Sequence, residues 1–378
     1  MYSYVPLSVQ AIIVILYNKF YLNSTYFLFK VTGMYKRSII FLVLVCMGIM
    51  PLWAQTNLEK IRQGIALHEN AQYEAAIKLY DEVIAADAKN VLALYEKSYS
   101  LLMLRKYSES IQLSKDIIET FPGDENIPNA YINWGTALDY QGKTKDALKV
   151  YTKGLKAFPG NYLLHFNKAI SYNSRGDREE AIEELQLALK SNPLHPSSHH
   201  VLGLLTAGNN KVAAMLSNLA YLAIQPQATE RANYNREKVE RIIGMSAEKK
   251  DDKNITISLS LPDKKKKEND FSSLELMIGL AAASNHTKEH ENETAIERMQ
   301  RNLGTVFNGL SMGQTEGKGF YWEFYAPFFA SLEKEGFREA FVHIMYTTSG
   351  AVLNELWLYD NKVKVEAFKK WLAAYKWI

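Results

Sequence analysis

The sharpest chemical suggestion in this sequence is His286-Thr287-Lys288-Glu289-His290, which matches the pattern H-x-x-E-H. On a helix, two histidines one turn apart hold zinc while the glutamate activates water. Glu366 stands downstream as a third ligand. The flanks argue against that chemistry. Ser284-Asn285 and Glu291-Asn292-Glu293 are polar, whereas a hydrolytic zinc site needs a buried helix that excludes bulk water. His195, His199 and His200 cluster around Pro196, in a loop leading into a helix. No nucleophile elbow, phosphate-binding glycine loop or dinucleotide fingerprint occurs. The sequence therefore assigns no catalytic residue, cofactor or metal ligand.

A second concentration of chemistry is the aromatic run Phe320–Phe329 around Glu323 and Pro327. Aromatic faces stack on sugars or peptides, but the commoner use of such a run is core. Charge adds little direction. The 44 Lys and Arg residues nearly cancel the 41 Asp and Glu, a formal net charge of +3, so no strong field draws the chain to nucleic acid. Cys46 is the single cysteine, which excludes a disulfide framework and a cysteine-ligated zinc.

Cys46 lies in a segment that reads as a secretory leader. Lys36-Arg37 is the charged region, Ser38–Met50 the apolar core, and Ala54 the small residue before a cleavage point at Gln55. Leu52 is larger than that pattern prefers. Met34 stands where such a leader starts, so residues 1–33 read as an upstream extension from a misassigned start. Val9–Tyr17 and Tyr26–Val31 are each too short to span a bilayer, which takes about 20 residues. The expectation is an exported chain, periplasmic or envelope-associated, with an uncleaved N-terminal anchor as the alternative.

The elements that would position any site emerge from self-similarity. Tyr73-Glu74-Ala75-Ala76-Ile77 is answered 34 residues later by Tyr107-Ser108-Glu109-Ser110-Ile111. Thr144-Lys145-Asp146-Ala147-Leu148 and Arg178-Glu179-Glu180-Ala181-Ile182 are again 34 apart. The irregular middle step holds three extra residues at Glu125-Asn126-Ile127, beside Pro128. Small residues recur at Gly64, Ser98, Gly135, Ala169 and Gly203, and again at Ala76, Ser110, Ala147 and Ala181. Gly142 and Gly176 mark turns, and Pro122, Pro159 and Pro193 close helices. Two antiparallel helices approach closely only where small side chains face each other, and a single hairpin cannot bury both faces.

These residues resemble the tetratricopeptide repeat (TPR) family over residues 57–227. The resemblance implies an all-α fold: a solenoid of four regular repeats plus a degenerate fifth, followed by a second helical region. The fifth unit, Pro196–Gln227, keeps Gly203 but has Met215 where a small residue belongs, and reads as a cap. By the same resemblance a polypeptide lies in the concave groove, on the second, fifth, sixth, ninth and twelfth positions of each unit. The candidates are Tyr95 and Tyr99 in the second repeat, Ile132, Asn133 and Thr136 in the third, and Phe166, Asn167 and Ile170 in the fourth. Asn133 and Asn167 share the sixth position, where a carboxamide pairs with a ligand backbone. The Lys/Asn/Lys/Arg clamp of chaperone-binding members is missing: Ile61, Ile65, Tyr95 and Tyr99 occupy the fifth and ninth positions of the early repeats.

Beyond the repeats, Thr229–Gly244 reads as one more amphipathic helix. Residues 228–270 as a whole read as a charged linker, with the lysine run Lys264–Lys267 and a short strand at Ile255–Leu259. Residues 271–378 read as a helical C-terminal domain, with Phe368, Trp371, Leu372 and Tyr375 as one apolar stripe. Gly336–Phe341 echoes a repeat turn, with Phe328 in the place of the small residue. The expected function is a non-catalytic scaffold or adaptor of the cell envelope that holds another protein, without nucleic acid and without a stable membrane span after leader cleavage. Two alternatives are a metal-dependent hydrolase seated in 271–378 with the repeats for recruitment, and a glycan-binding envelope component using the aromatic run.

Overall fold

Several helices begin where a short polar side chain can hold an open backbone N–H. Asn161 accepts from the amide of Leu164 at 3.0 Å, Asn210 from Ala213 at 2.9 Å, and Thr229 from Ala232 at 3.1 Å, satisfying donors that every helix start leaves unpaired. The ends follow the prolines. Helices stop at Thr120, Ala157 and Ser191, two residues before Pro122, Pro159 and Pro193, because proline and the residue before it resist helical geometry.

The computed structural model describes residues 56–225, 227–251, 254–259, 268–314 and 316–377. The leader-like segment, Cys46 and Lys264–Lys267 lie outside the described residues. The chain divides into two compact units between Ser100 and Leu101.

The first unit contains α1 (residues 56–69) and α2 (Tyr73–Ala86), and α3 (Val91–Met103) begins in it. Ile61, Ala76, Tyr80, Val83 and Ala93 form its core. Gly64 faces the Tyr80 ring, against which any Cβ would collide.

The second unit continues with the hairpin helices α4 (Tyr107–Thr120), α5 (Ile127–Tyr140), α6 (Thr144–Ala157), α7 (Tyr162–Arg175), α8 (Arg178–Ser191), α9 (Pro196–Thr206) and α10 (Lys211–Ile224). Each packs on the next. Gly135 lies against Tyr151, with Cζ 2.5 Å from where a Cβ would stand. The turns between paired helices need a left-handed residue: Gly142 has φ +74° and Gly176 +93°. The same turns one and two repeats earlier use Ala71 and Arg105, at φ +58° and +62°, without the glycine that makes this conformation inexpensive.

Next come α11 (Glu230–Gly244), β1 (Ala247–Lys249), β2 (Ile255–Ile257), α12 (Ser272–Ser284), α13 (Ala295–Gly313), α14 (Phe320–Lys334), α15 (Arg338–Met345), α16 (Val352–Asp360) and α17 (Lys362–Ala374). The strand expected near Ile255 pairs antiparallel with Ala247–Lys249, Ala247 opposite Ile257. Gly279 of α12 lets the Ile257 side chain approach. The main partner of α14 is the preceding helix α13, so the repeat-like turn at Gly336, φ +75°, does not open a sixth repeat.

The fifth hairpin differs from the expected cap. A cap keeps a polar outer face, yet every residue of α10 from Val212 to Ala223 is at most 2% exposed. Helices α9, α11, α14 and α15 all pack on it. A helix apolar on all sides is a buried helix, and Met215 replaces a small residue because α10 lies at the centre of a core, not at an end. That core runs from Ala169 and Leu185 through α10 to Phe341 and Phe368, so the last repeats and the C-terminal helices share it.

Candidate functional site

The groove positions of the first unit lie on α3. Tyr95 and Tyr99 are half-buried, and Tyr99 stacks on His68 with ring centroids 4.4 Å apart. His68 Nδ1 is 2.8 Å from the Ser100 hydroxyl. Burial, and then the neighbouring Glu69, push the Glu96 carboxyl up to about 7.

In the second unit the third repeat spends its groove positions on packing. Asn133 is only 3% exposed. Thr136 Oγ1 meets the Tyr151 hydroxyl at 3.1 Å, and Tyr151 reaches Asp139 at 3.4 Å. Ser171 of α7 also donates to Asp139, whose pKa is raised by desolvation despite these bonds. Ile132 remains half-exposed. In the fourth repeat, Asn167 turns its amide back onto the carbonyl of Leu163 at 2.8 Å. Phe166 packs edge-on against His195, centroids 4.9 Å apart. The ninth position is open: Ile170 is 39% exposed, and Leu204, one repeat later, is 41% exposed.

The fourth position reveals how the repeats end. His165 Nδ1 lies 2.6 Å from the Glu184 carboxylate and its Nε2 donates to the Pro159 carbonyl (3.1 Å), while Lys168 also bridges Glu184 at 2.7 Å. His199, 34 residues later, repeats the carbonyl contact with Pro193 at 2.8 Å. Its other ring nitrogen, 2.8 Å away, meets the hydroxyl of Tyr325 on α14. The Pro193 carbonyl can only accept, so Nε2 carries the proton and Nδ1 accepts from Tyr325. Complete burial pushes His199 down to about 4.

Between α9 and α11 a cleft of about 590 Å³ is lined by Gly203, Leu204, Asn218, Tyr234, Lys238 and Arg241, among others. Sequence reasoning missed this cleft. Glu230 opens α11 34 residues after Pro196 opens α9, so α11 stands in register as the first helix of a sixth unit. Glu237, in place of the small eighth residue, hid that register. His200 and the fully buried Asn235 join the two helices at 3.0 Å.

The other sequence candidates do not assemble a reacting centre. Lys288–His290 is a single 3-10 turn, so His286 and His290 do not share an α-helical face. His290 instead pairs with Glu293 at 2.8 Å, and Glu366 pairs with Lys369 at 2.8 Å on the surface of α17. The aromatic run is core. Phe320, Trp322, Phe324, Tyr325, Phe328 and Phe329 are all at most 7% exposed, which removes the sugar-stacking surface that the glycan-binding alternative needs. Among the described residues no helix is long and apolar enough to cross a membrane.

Helical hairpins stacked at 34-residue steps, with small residues at their contacts, define a helical-repeat protein. The family model described as tetratricopeptide repeat matches residues 61–125 and 132–199, so this part of the chain is built of tetratricopeptide repeats. Tetratricopeptide repeat protein 28 of Homo sapiens is 27% identical over 43% of this chain, and the match spans 7% of that relative's length. A TPR repeat-containing protein of Methanocaldococcus jannaschii is 24% identical over 34% of this chain and 22% of its own. The photosystem I assembly protein Ycf3 of Prochlorococcus marinus is 31% identical over 28% of this chain and 65% of its own. Among solved structures, a thermophilic TPR protein of Thermus thermophilus aligns with 49% of this chain and 99% of its own, at 18% identity and a TM-score of 0.43.

Proposed function

We propose that this chain is a non-catalytic scaffold or adaptor that holds an extended segment or helix of another protein on the groove face of its repeats. The observation that carries this reading is the pair Ile170 and Leu204. Both occupy the ninth position of successive repeats, and both leave about two-fifths of an apolar side chain in water. Apolar side chains in register on successive helices suit a segment that alternates pocket-filling residues with backbone contacts. Phe166, Asn167 and Ile132 flank that line, and Tyr95 and Tyr99 supply aromatic groove positions in the first unit. Asn133 and Thr136 support the groove from within the packing.

The leader-like segment 34–54 supports an exported chain, periplasmic or envelope-associated. Sequencing the mature N-terminus tests this: Gln55 as the first residue agrees, and Met1 or Met34 refutes it. The groove is tested with a photo-crosslinking amino acid placed at Ile170 or Leu204 in cells. Discrete protein adducts at these positions, missing at the exposed Lys145, are expected. No adduct at either position would sink the groove reading.

A further inference from the structure

We propose that the cleft between α9 and α11 is a binding site for an acidic peptide segment, an assignment that rests on the scaffold reading above and names the chemistry of one part of its ligand. Arg231, Tyr234, Lys238 and Arg241 stand at the second, fifth, ninth and twelfth positions of the sixth register. Steps of three, four and three residues put all four on one face of α11. That is the groove face, and it carries three cations.

The cleft holds three cations of its own, Lys211, Lys238 and Arg241, and no carboxylate among its lining residues. Lys211 is already engaged, bridging Glu275 at 3.2 Å and donating to the Ser258 carbonyl at 2.9 Å. The other two are not matched by an acid among the described residues. Lys238 lies over the Tyr234 ring at 4.7 Å, and Arg241 Nε points at the Met245 sulfur at 3.3 Å. A thioether is a weak acceptor for a guanidinium. The field in the cleft is positive.

Asn218 supplies the second, independent observation. It is 2% exposed, lines the cleft, and its Oδ1 is buried without a hydrogen-bond partner. That oxygen lies close against Gly203, where a Cβ would stand 2.7 Å from it. One repeat earlier the corresponding residue is Glu184, fully engaged by His165 and Lys168. The counterpart of His165 is His199, whose ring nitrogens are taken by Pro193 and Tyr325. Leu202 stands in the register of Lys168, so neither hydrogen-bonds the Asn218 oxygen, and a buried acceptor left empty is unfavourable.

A ligand that completes the cleft brings an N–H to Asn218 and carboxylates to Lys238 and Arg241, and lays apolar atoms along Leu204, Ile242 and the Tyr234 ring. A peptide rich in Asp or Glu has all three. Its backbone supplies the donor, its side chains supply planar acceptors for the guanidinium, and a cleft of about 590 Å³ admits a short extended segment.

The test uses the full chain and a fluorescein-labelled twelve-residue peptide of alternating Glu, Ala and Leu, compared with its Gln counterpart by fluorescence anisotropy. The Glu peptide is expected to bind about tenfold more tightly than the Gln peptide, with the preference falling as salt rises. The variant Lys238→Gln/Arg241→Gln is expected to lose about tenfold in affinity while keeping the wild-type melting curve. Lys145→Gln/Lys149→Gln changes net charge equally on the exposed face of α6 and should leave binding unchanged. Equal binding of both peptides, or equal loss in both variants, overturns the site. Competition by millimolar inorganic phosphate that fully displaces the peptide overturns the peptide assignment in favour of a simple anion site. Crosslinking at Ile170 and Leu204 without Glu-peptide binding sinks this proposal alone; failure of both experiments sinks the scaffold reading with it.

Discussion

Acid should weaken the junction between the last repeat and the C-terminal helices, and His199 is the group that makes this measurable. Its ring is 0% exposed and held as the neutral tautomer between the Pro193 carbonyl and the Tyr325 hydroxyl. Burial lowers its pKa from 6.5 to about 4. Above 6.5 the ring is neutral in both folded and unfolded chains, and its contribution is complete. As pH falls from 6.5 towards 4, the unfolded chain takes up a proton that the folded chain refuses, so stability drops; below 4 the loss levels off. A displacement of this size corresponds to about 3 kcal/mol in full, and about 2.5 kcal/mol is lost between pH 7 and pH 4.5. His199→Gln removes the titration while keeping a side chain that can donate to Pro193. Urea unfolding followed by circular dichroism at both pH values gives the comparison. His195, pushed down to about 4 by burial, and the carboxylates titrate in both chains, so the difference between the two slopes isolates His199. The variant should be less stable at pH 7 yet lose about 2.5 kcal/mol less on acidification. If both chains lose the same amount, the buried neutral imidazole is not the acid-sensitive element and the reasoning fails.

Three further outcomes follow from packing and backbone geometry. Gly135→Ala drives a methyl group into the Tyr151 ring and should cost about 1–3 kcal/mol, read as a lower melting temperature. Arg105→Gly should do the reverse. It relieves a left-handed residue at φ +62° and, after the added entropy of the unfolded chain, should gain roughly 0.5–1 kcal/mol in a denaturant titration. Asn354 is the buried residue of α16, meeting His343 Nδ1 at 2.7 Å and donating to the His343 carbonyl at 3.0 Å. Asn354→Ala should speed amide exchange across 352–360 while the global melting temperature moves little; unchanged exchange would show that Trp357, stacked on His343 at 3.6 Å, holds the helix alone.

The repeat register was legible because close helix contacts tolerate only small side chains, and Gly135, Ala147, Ala169 and Ala181 repeat that demand at fixed spacing. The turns were half legible. Gly142 and Gly176 announced a left-handed residue, whereas Ala71 and Arg105 adopt it without any signature in their residue type. Met215 looked like decay because its environment is made by α14 and α15, more than 100 residues away in sequence, and local pattern carries nothing about such partners. Strand β1 was invisible for a similar reason: Ala247-Glu248-Lys249 has no alternation and becomes a strand only because Ile255–Ile257 lies beside it. Asn133 and Asn167 were assigned to a ligand by position, but one is buried and the other bonds its own helix. The cleft went unnoticed because its cations lie on a helix whose eighth position had lost the mark of the family.

The enclosure of α10 limits how this protein can change in length. Repeat arrays ordinarily gain and lose units by duplication and deletion, since each unit touches only its neighbours. Here the fifth hairpin is also the floor on which α14 and α15 rest. A unit inserted after Gln225 would separate His199 from Tyr325, and a deletion there would leave Phe324, Tyr325 and Phe328 without a seat. A unit added or lost upstream of Pro196 leaves this packing intact, whereas the C-terminal block and the hairpin beneath it can be altered only together.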